Sequence, residues 1–485
     1  MCLIGFTVLL LSSAGESLSL SYGEMVWTLE PGVSFELPQH EQRARVLHSH
    51  FMREYWERRP LLVRAAFPSL AHNPIMKADE LAGLACDEDA SARIVIDERE
   101  VVHGPFDEGD FDDLGSEKAE DLWTLLVNDV ERFHPPAHTI AEAFSFIPTW
   151  RHDDVQVSLC PPGGAGIGAH VDSYDVFLVQ GAGRREWSIM ADKYIGKSEE
   201  EALLKDTRIE KGAVSNNYDM SFSQSSAVRS LKDEAFEATH TWVLEPGDML
   251  YLPPRIPHRG RSLCLEEERY GSTTVRKEDW ACSTISVGFR SPSLRELIAR
   301  FSEHVCDSTE DSILDFRHGS DKKTWDAGRI PPEVVESAKD RIRASFIRAV
   351  ESKDFLTFLG GTLTEPQRTS VHDSIEITDS KEREVELLPE DIRKMKLVRR
   401  LGTKFVYIED KIIGNEGGIL FVDGVSFDFS ASSASFVKLL CDRSQHRRDI
   451  VVGDIAREIG TSNFEKHTCK LIKSLLSYGF LDCTK

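Results

Sequence analysis

Apolar and polar positions follow three different periods along this chain, and the changes of period divide it. Between residues 40 and 58, Leu47, Phe51 and Tyr55 recur every fourth residue, the spacing of one face of a helix. Pro60 ends that helix, and Leu61-Leu62-Val63 reads as a buried strand. Asp79 is placed to cap a short helix running to Ala85, and residues 93–97 are strand-like. The strongly acidic stretch 107–121 reads as a solvated surface loop. Residues 120–133 read as helix, with Leu122, Leu125, Leu126 and Val130 on one side.

From residue 155 to residue 290 the period shortens to two. Strands are expected at 155–159, 169–179, 187–190, 241–244, 249–252 and 284–289, separated by Gly/Pro turns. Many short strands between turn signals point to an all-β barrel or sandwich. Two polar, charged interruptions, 196–238 and 265–280, read as surface excursions from it. Residues 293–360 return to helical spacing, with Leu294, Leu297, Ile298 and Phe301 in one stripe and Val334, Ile342, Phe346 and Val350 in another. Segment 361–390 reads as a linker. A small unit from 391 to 485 follows, with paired strands at 405–408 and 418–422 and helices near 432–442, 452–459 and 464–478. The fold class is therefore α+β, with a β-barrel core flanked by helical regions.

Composition narrows the classes. The 485 residues are 41% hydrophobic and 29% charged, which fits a globular chain of two or three domains. A net charge of −23 argues against a general nucleic-acid coat and is compatible with a basic protein partner. Nine cysteines include no CxxC pair, which makes a poor disulfide framework and a poor zinc site and points to a reducing compartment. Residues 3–11 are apolar and run into Ser12, Ser13 and Ala14, the outline of a secretory signal. No basic residue precedes them, and the run is too short to span a bilayer. Residues 1–24 are read as either a targeting segment or an ordinary strand or helix, and no membrane span is expected.

The chemistry begins at Ala169-His170-Val171-Asp172. In a strand, residues two apart share a face, so His170 and Asp172 present an imidazole and a carboxylate side by side. His258 closes the proline-stiffened run Pro253-Pro254-Arg255-Ile256-Pro257-His258, which follows the turn Glu245-Pro246-Gly247-Asp248 and the strand Met249-Leu250-Tyr251-Leu252. It is the candidate third ligand. Two histidines and one carboxylate form the facial triad of non-haem Fe(II), which leaves positions open for a chelating 2-oxo acid and O2. A His-x-Asp pair alone is common by chance; the downstream half gives it weight. After Gly181-Ala182-Gly183, one of Arg184 and Arg185 is placed to receive the co-substrate's distal carboxylate, and Arg184 reads as an exposed turn residue. Thr284 and Ser286 share a strand face and could add a hydroxyl. The Gly-rich run 161–168 lacks a phosphate-binding pattern and reads as a lip beside the metal strand.

These residues, with others, resemble a known family, the JmjC-type cupin ribosomal oxygenases, especially the bacterial ribosomal-protein arginine hydroxylases. The matching runs include Tyr55-Trp56-Glu57-Arg58-Arg59-Pro60-Leu61-Leu62-Val63-Arg64 and Phe146-Ile147-Pro148-Thr149-Trp150-Arg151. They continue with His170-Val171-Asp172-Ser173-Tyr174-Asp175-Val176-Phe177, Gln180-Gly181-Ala182-Gly183-Arg184-Arg185-Glu186-Trp187 and Ser286-Val287-Gly288-Phe289-Arg290. The likeness covers about residues 25–300 well and the rest more loosely.

The resemblance implies a double-stranded β-helix core over 25–292, a helical dimerisation region and linker over 293–390, and a winged-helix-like domain over 391–485. It implies Fe(II) on His170, Asp172 and His258, 2-oxoglutarate on Arg185 with help from Ser286, and a substrate pocket shaped by Tyr174 and Asp154. The implied reaction is O2-dependent hydroxylation of a side chain, arginine first, on a large-subunit ribosomal protein. Histone lysine demethylation, histidyl hydroxylation and a non-catalytic acidic scaffold for a basic partner are the alternatives. A homodimer without direct DNA binding is expected, since the C-terminal unit has roughly balanced charge. The location is intracellular: cytoplasm, nucleus, or an organelle if the N-terminal segment is a signal. The long excursions and the N-terminal tail depart from the bacterial pattern, and they bear on the substrate rather than on the metal ligands.

Overall fold

The computed structural model describes residues 6–11, 17–23, 25–29, 33–36, 41–98, 100–114, 122–161, 164, 166–191, 228–230, 236–263, 281–307, 330, 332–366, 388–409, 417–442, 450–460, 462 and 464–484. Of the two expected excursions, only 228–230 and 236–238 fall among them.

The strands of the central region alternate between two sheets. His170–Asp172 lies in the smaller sheet, Asp175–Ala182 in the larger, and Arg185–Ile189 and His240–Leu244 return to the smaller. Met249–Leu252, His258–Ser262 and Cys282–Phe289 then cross over and back. Two sheets wound together in this way are a double-stranded β-helix. In the larger sheet, Leu61–Arg64, Met249–Leu252, Asp175–Ala182, Cys282–Phe289 and His152–Cys160 are antiparallel neighbours in that order. The smaller sheet runs Val228–Ser230, His170–Asp172, His258–Ser262, Arg185–Ile189, His240–Leu244.

The central strands of the larger sheet are covered on both faces, which explains their near-continuous hydrophobic runs. Along Asp175–Ala182, Phe177 and Val179 point outward into a core with Phe51, Tyr55, Phe144, Tyr251 and Phe289. Val176 and Leu178 point inward with Leu250, Leu252, Trp187 and Ile189. Phe177 is the hub of the outer layer, with ring centroids 4.3 Å from Phe144 and 4.9 Å from Tyr251. The Tyr251 hydroxyl donates to Asp175 Oδ1 at 2.5 Å, and Arg151 pairs with Asp175 Oδ2 at 3.2 Å, so this aromatic layer is tied to the start of the strand that follows Asp172.

Several expectations change. Residues 120–133 are not one helix: Trp123–Val127 is a strand between Ala92–Ile96 and His152–Cys160, followed by the short helix Val130–Phe133. Leu125 and Leu126 are both buried because both faces of that strand are covered, and this imitates a helical stripe. Part of the acidic stretch, Glu108–Leu114, is helical; 115–121 lies outside the described residues. The helix Ala78–Ala85 is capped from Lys77, whose backbone N–H donates to Glu80, and Asp79 sits inside the first turn. Residues 169–179 break at Ser173-Tyr174 where the chain changes sheets. Phe6–Leu11 and Ser17–Gly23 form a hairpin on the edge of the larger sheet.

Beyond the barrel come the helices Leu294–Asp307, Pro332–Val350 and Lys353–Thr364. The last of these runs into the expected linker, of which 367–387 lies outside the described residues. The C-terminal unit has its own apolar core. Phe405–Glu409, Gly417–Val422 and Val425–Ser430 form one antiparallel sheet. Lys396–Arg399, Ile450–Val451 and Leu481–Thr484 form another, which was too short to register as a pattern. Helices Ala434–Cys441, Val452–Ile459 and Cys469–Ser477 complete it. Gly360 lets the preceding helix lie against this unit, since a Cβ there would meet the Phe421 ring at 2.3 Å.

Truncating Phe177 leaves a void between two fixed layers. Phe177→Ala is expected to lower stability by about 3–5 kcal/mol, read from denaturant unfolding of the barrel; a loss well under that range would show that this layer does not hold the sheet.

Candidate metal centre

His170 and Asp172 occupy the two ends of a three-residue strand and share its inner face. His258 begins the neighbouring strand directly opposite His170. The approach to His258 is fixed from the same place: Arg255, at φ 67°, donates its backbone N–H to the Asp172 carbonyl at 2.8 Å. The proline-flanked turn is thus pinned to the strand that carries the other two groups.

The three side chains converge. His170 Nε2 lies 3.9 Å from Asp172 Oδ1, His258 Nε2 lies 3.5 Å from Asp172 Oδ2, and the imidazole centroids are 4.1 Å apart. Candidate ligand atoms from all three fall within 4.8 Å of one another, and no other such cluster occurs among the described residues. His170 Nδ1 meets the Gly168 carbonyl and His258 Nδ1 the Ile256 carbonyl, each at 2.9 Å. A carbonyl only accepts, so each Nδ1 carries the proton and each Nε2 turns a lone pair to the centre. Gly168 has φ +81°, a conformation that L side chains rarely adopt, so a glycine suits the carbonyl that orients His170.

All three groups are buried, and Asp172 Oδ1 has no hydrogen-bond partner among the described residues. Burial raises the Asp172 carboxyl to about 6 against the opposing pull of His170 and Arg93. Burial, with His170 nearby, lowers His258 well below the ordinary imidazole range. Asp172 and His258 thus each resist carrying a charge without compensation. A divalent cation offsets the cost of the Asp172 carboxylate and takes a lone pair from the neutral His258 imidazole, and the donor set of two imidazoles and one carboxylate suits Fe(II) and leaves coordination positions for other ligands.

Arg185 stands on the strand beside His258. Ile189 faces His258 and Arg185 faces Ser262, which separates Arg185 from the ligand end by roughly 13 Å along the strand. Its guanidinium is buried; Nη1 donates to Ser158 Oγ at 3.1 Å, Nη2 meets Cys160 Sγ at 2.7 Å, and Nε has no partner. The hydroxyl bonded to Arg185 belongs to Ser158. Ser286 lies opposite Gln156 and Leu178, and its hydroxyl makes no hydrogen bond among the described residues, while Thr284 donates to Gln180 Oε1 at 3.2 Å. Ser158 and Cys160 were missed, although they follow Asp154 and Gln156 at period two on the same strand face. Arg184 is half-buried, and Trp187 is buried in the inner core.

Asp154 is buried and accepts from Asn128 Nδ2 at 2.9 Å, and Asn128 Oδ1 in turn accepts from Arg93 Nη1 at 3.2 Å. Since Arg93 acts on Asp172, this polar chain reaches the metal ligands. Tyr174 is half-buried in the turn after Asp172 and packs on the inner apolar cluster. Of the Gly-rich lip, 162, 163 and 165 lie outside the described residues; Gly166 passes so close to Gly260 that a Cβ would meet its carbonyl oxygen at 2.4 Å.

Protonating Asp172 removes a ligand, so affinity for Mn(II) or Fe(II) is expected to fall as pH drops through about 6. Asp172→Asn is expected to abolish that binding in calorimetry. The metal-free fold runs the other way: a raised carboxyl pKa costs stability as pH rises from the unfolded value towards 6, so the Asn variant should melt no lower than the metal-free parent at neutral pH. A variant that still binds metal, or one that melts lower when both are metal-free, contradicts this reading.

Comparison with known proteins agrees with the geometry. Residues 139–297 match the family model for the JmjC domain. The chain is 34% identical over 258 residues to the ribosomal protein uL16 3-hydroxylase of Escherichia coli, covering 53% of this chain and 56% of that protein. It is 31% identical over 314 residues to a probable ribosomal oxygenase of Haemophilus influenzae, covering 63% of this chain and 65% of that protein. The matches therefore span less than two thirds of these relatives' length. In fold, it superposes on a structure of YcfD, a ribosomal oxygenase from Escherichia coli, with a TM-score of 0.60 at 23% identity over 90% of this chain and 98% of the other. A second YcfD structure, in complex with cobalt and 2-oxoglutarate, matches with the same TM-score at 24% identity. The chain thus carries a JmjC domain on a cupin fold and is similar to the ribosomal oxygenases.

Proposed function

We infer that this protein is an Fe(II)- and 2-oxoglutarate-dependent oxygenase that hydroxylates a side chain of a basic protein, with an arginine of a large-subunit ribosomal protein as the target. The observation that carries the reading is the buried His170-Asp172-His258 cluster set along one sheet from the buried Arg185, which pairs with no carboxylate among the described residues. The names and bound ligands of the similar proteins point the same way.

Bound iron supplies the oxygen-activating chemistry, with the 2-oxo acid and O2 as co-substrates. His170, Asp172 and His258 hold the ion, and the two Nδ1–carbonyl bonds keep both imidazoles aimed at it. Arg185 receives the distal carboxylate of 2-oxoglutarate through its guanidinium, with the Ser158 hydroxyl beside it and Ser286 further along the same inner face. Tyr174 and Asp154 shape the substrate side. A buried carboxylate such as Asp154 recognises a guanidinium by paired hydrogen bonds, which favours arginine as the target, and the net charge of −23 favours a basic partner.

The domain reading places the oxygenase in 25–292, a helical dimerisation region and linker in 293–390 and a winged-helix-like unit in 391–485. Strands and helices of the last unit pack around one core, which supports it. Dimerisation is supported by apolar side chains left exposed on two helices, Leu294, Ile298, Ile342 and Ile347 among them. A reducing compartment fits the seven free cysteines among the described residues; cytoplasm, nucleus and organelle all satisfy that. No helix of the described residues is long and apolar enough to cross a membrane.

His170→Ala or Asp172→Ala is expected to reduce succinate formation to background, and full activity in either would refute the assignment. Mass spectrometry of reacted ribosomal proteins should show the gain of one oxygen atom on an arginine; loss of a methyl group from a histone lysine instead would transfer the reading to a demethylase. A double change, Ile298→Asp with Ile342→Asp, is expected to give a monomer by light scattering with the iron site intact, and an unchanged mass would place any interface elsewhere.

A further inference from the structure

Arg185 presents a problem of charge. A guanidinium cannot shed its proton, and a buried one needs an anion. Among the described residues no carboxylate pairs with Arg185; its two Nη atoms bond Ser158 Oγ and Cys160 Sγ, the latter at 2.7 Å. The Cys282 thiol is a further ionisable neighbour of the guanidinium. Of the two bonded partners, the Cys160 sulfur is the one able to become an anion.

Its surroundings support that state. Cys160 and Cys282 face each other in register across adjacent strands, and both are buried. Gln180 Nε2 donates towards Cys282 Sγ at 3.3 Å. Among the described residues, the charged and titratable groups acting on Cys160 are Arg185 and Cys282, with the Ser262 hydroxyl as a further polar neighbour. The Cys282 thiol and the guanidinium hold Cys160 down to about 5 against burial, while Cys282 is pushed up, first by its bond to Cys160 and then by burial. Of the two sulfurs, Cys160 Sγ is the one within 2.7 Å of the guanidinium, which favours it as the site of a negative charge. Cys160 Sγ also lies 3.7 Å from the Cys282 carbonyl oxygen, an acceptor for its proton whenever the thiol is neutral.

We propose that the Cys160 thiolate is the internal counter-ion of Arg185, which the distal carboxylate of the co-substrate displaces while Cys160 takes up a proton from solvent. The proposal rests on Arg185 as the co-substrate's carboxylate site. Two anions cannot share one buried cation without strong repulsion, so binding of the dianion and protonation of the sulfur are coupled. No bond other than S–H forms and nothing is oxidised. Cys160 is therefore a positioning residue: it holds the guanidinium in place in the empty pocket and sets how tightly 2-oxoglutarate binds at a given pH.

The test is 2-oxoglutarate binding to the full-length, Mn(II)-loaded protein under argon, by calorimetry in buffers of differing ionisation enthalpy. The parent should take up about one proton per ligand, and its affinity should fall roughly tenfold per unit as pH rises from about 6 to about 8. Protonation of the metal ligands has the opposite sign and cannot imitate this. Thiolate absorbance in the ultraviolet should drop on ligand addition, a readout that needs no variant. Cys160→Ser should bind more tightly at the upper pH, with no proton uptake and a flat profile. Binding that is pH-independent in the parent, or that leaves thiolate absorbance unchanged, overturns the counter-ion role while leaving the co-substrate site standing. Failure of parent and variant alike to bind 2-oxoglutarate overturns the site itself and the proposal with it.

Discussion

One carboxylate and two imidazoles held together out of water are the constraint around which this structure is arranged. Desolvation makes the charged forms costly, and Asp172 keeps one oxygen without any hydrogen-bond partner among the described residues. A folded chain carries such a cluster only where surrounding structure over-determines it. Here the cost is local and the support is broad: the Nδ1 atoms are bonded to backbone carbonyls, and the turn before His258 is bonded to Asp172's own carbonyl. The same logic applies to Arg185, a buried cation that pairs with no carboxylate among the described residues and meets the Cys160 sulfur instead. The barrel interior therefore has two buried polar sites, one suited to a metal ion and the other to a carboxylate.

The double-stranded β-helix supplies this arrangement because it brings distant sequence into register. His170 and His258 are neighbours only because their strands pair, and Arg185 sits a fixed distance from both because its strand pairs with that of His258. The outer aromatic layer around Phe177 then fixes the larger sheet, and the Tyr251–Asp175 hydrogen bond ties that layer to the turn after Asp172. Packing thus reaches the ligands through three residues of backbone.

Much of this was legible in the chain, for a physical reason. Period-two placement of His170 and Asp172 states that they share a face, and a turn–strand–proline run ending in His258 states that it lies at a rim. The barrel strands were visible because a turn with Gly or Pro bounds most of them. The strand Trp123–Val127 was not: covered on both faces, it buries Leu125 and Leu126 together and loses its alternation. Ser158 and Cys160 were passed over because a serine and a cysteine in a strand look like ordinary core, and only the fold brings them to Arg185. The sheet at the C-terminus was lost to strand length alone.

The account stands or falls on what surrounds a bound iron. X-ray absorption at the iron edge of the Fe(II)-loaded full chain reads that directly. The account predicts a first shell of nitrogen and oxygen donors, with the multiple-scattering signature of two imidazoles and no sulfur. A sulfur scatterer in that shell, or a spectrum of iron coordinated by water alone, would contradict it.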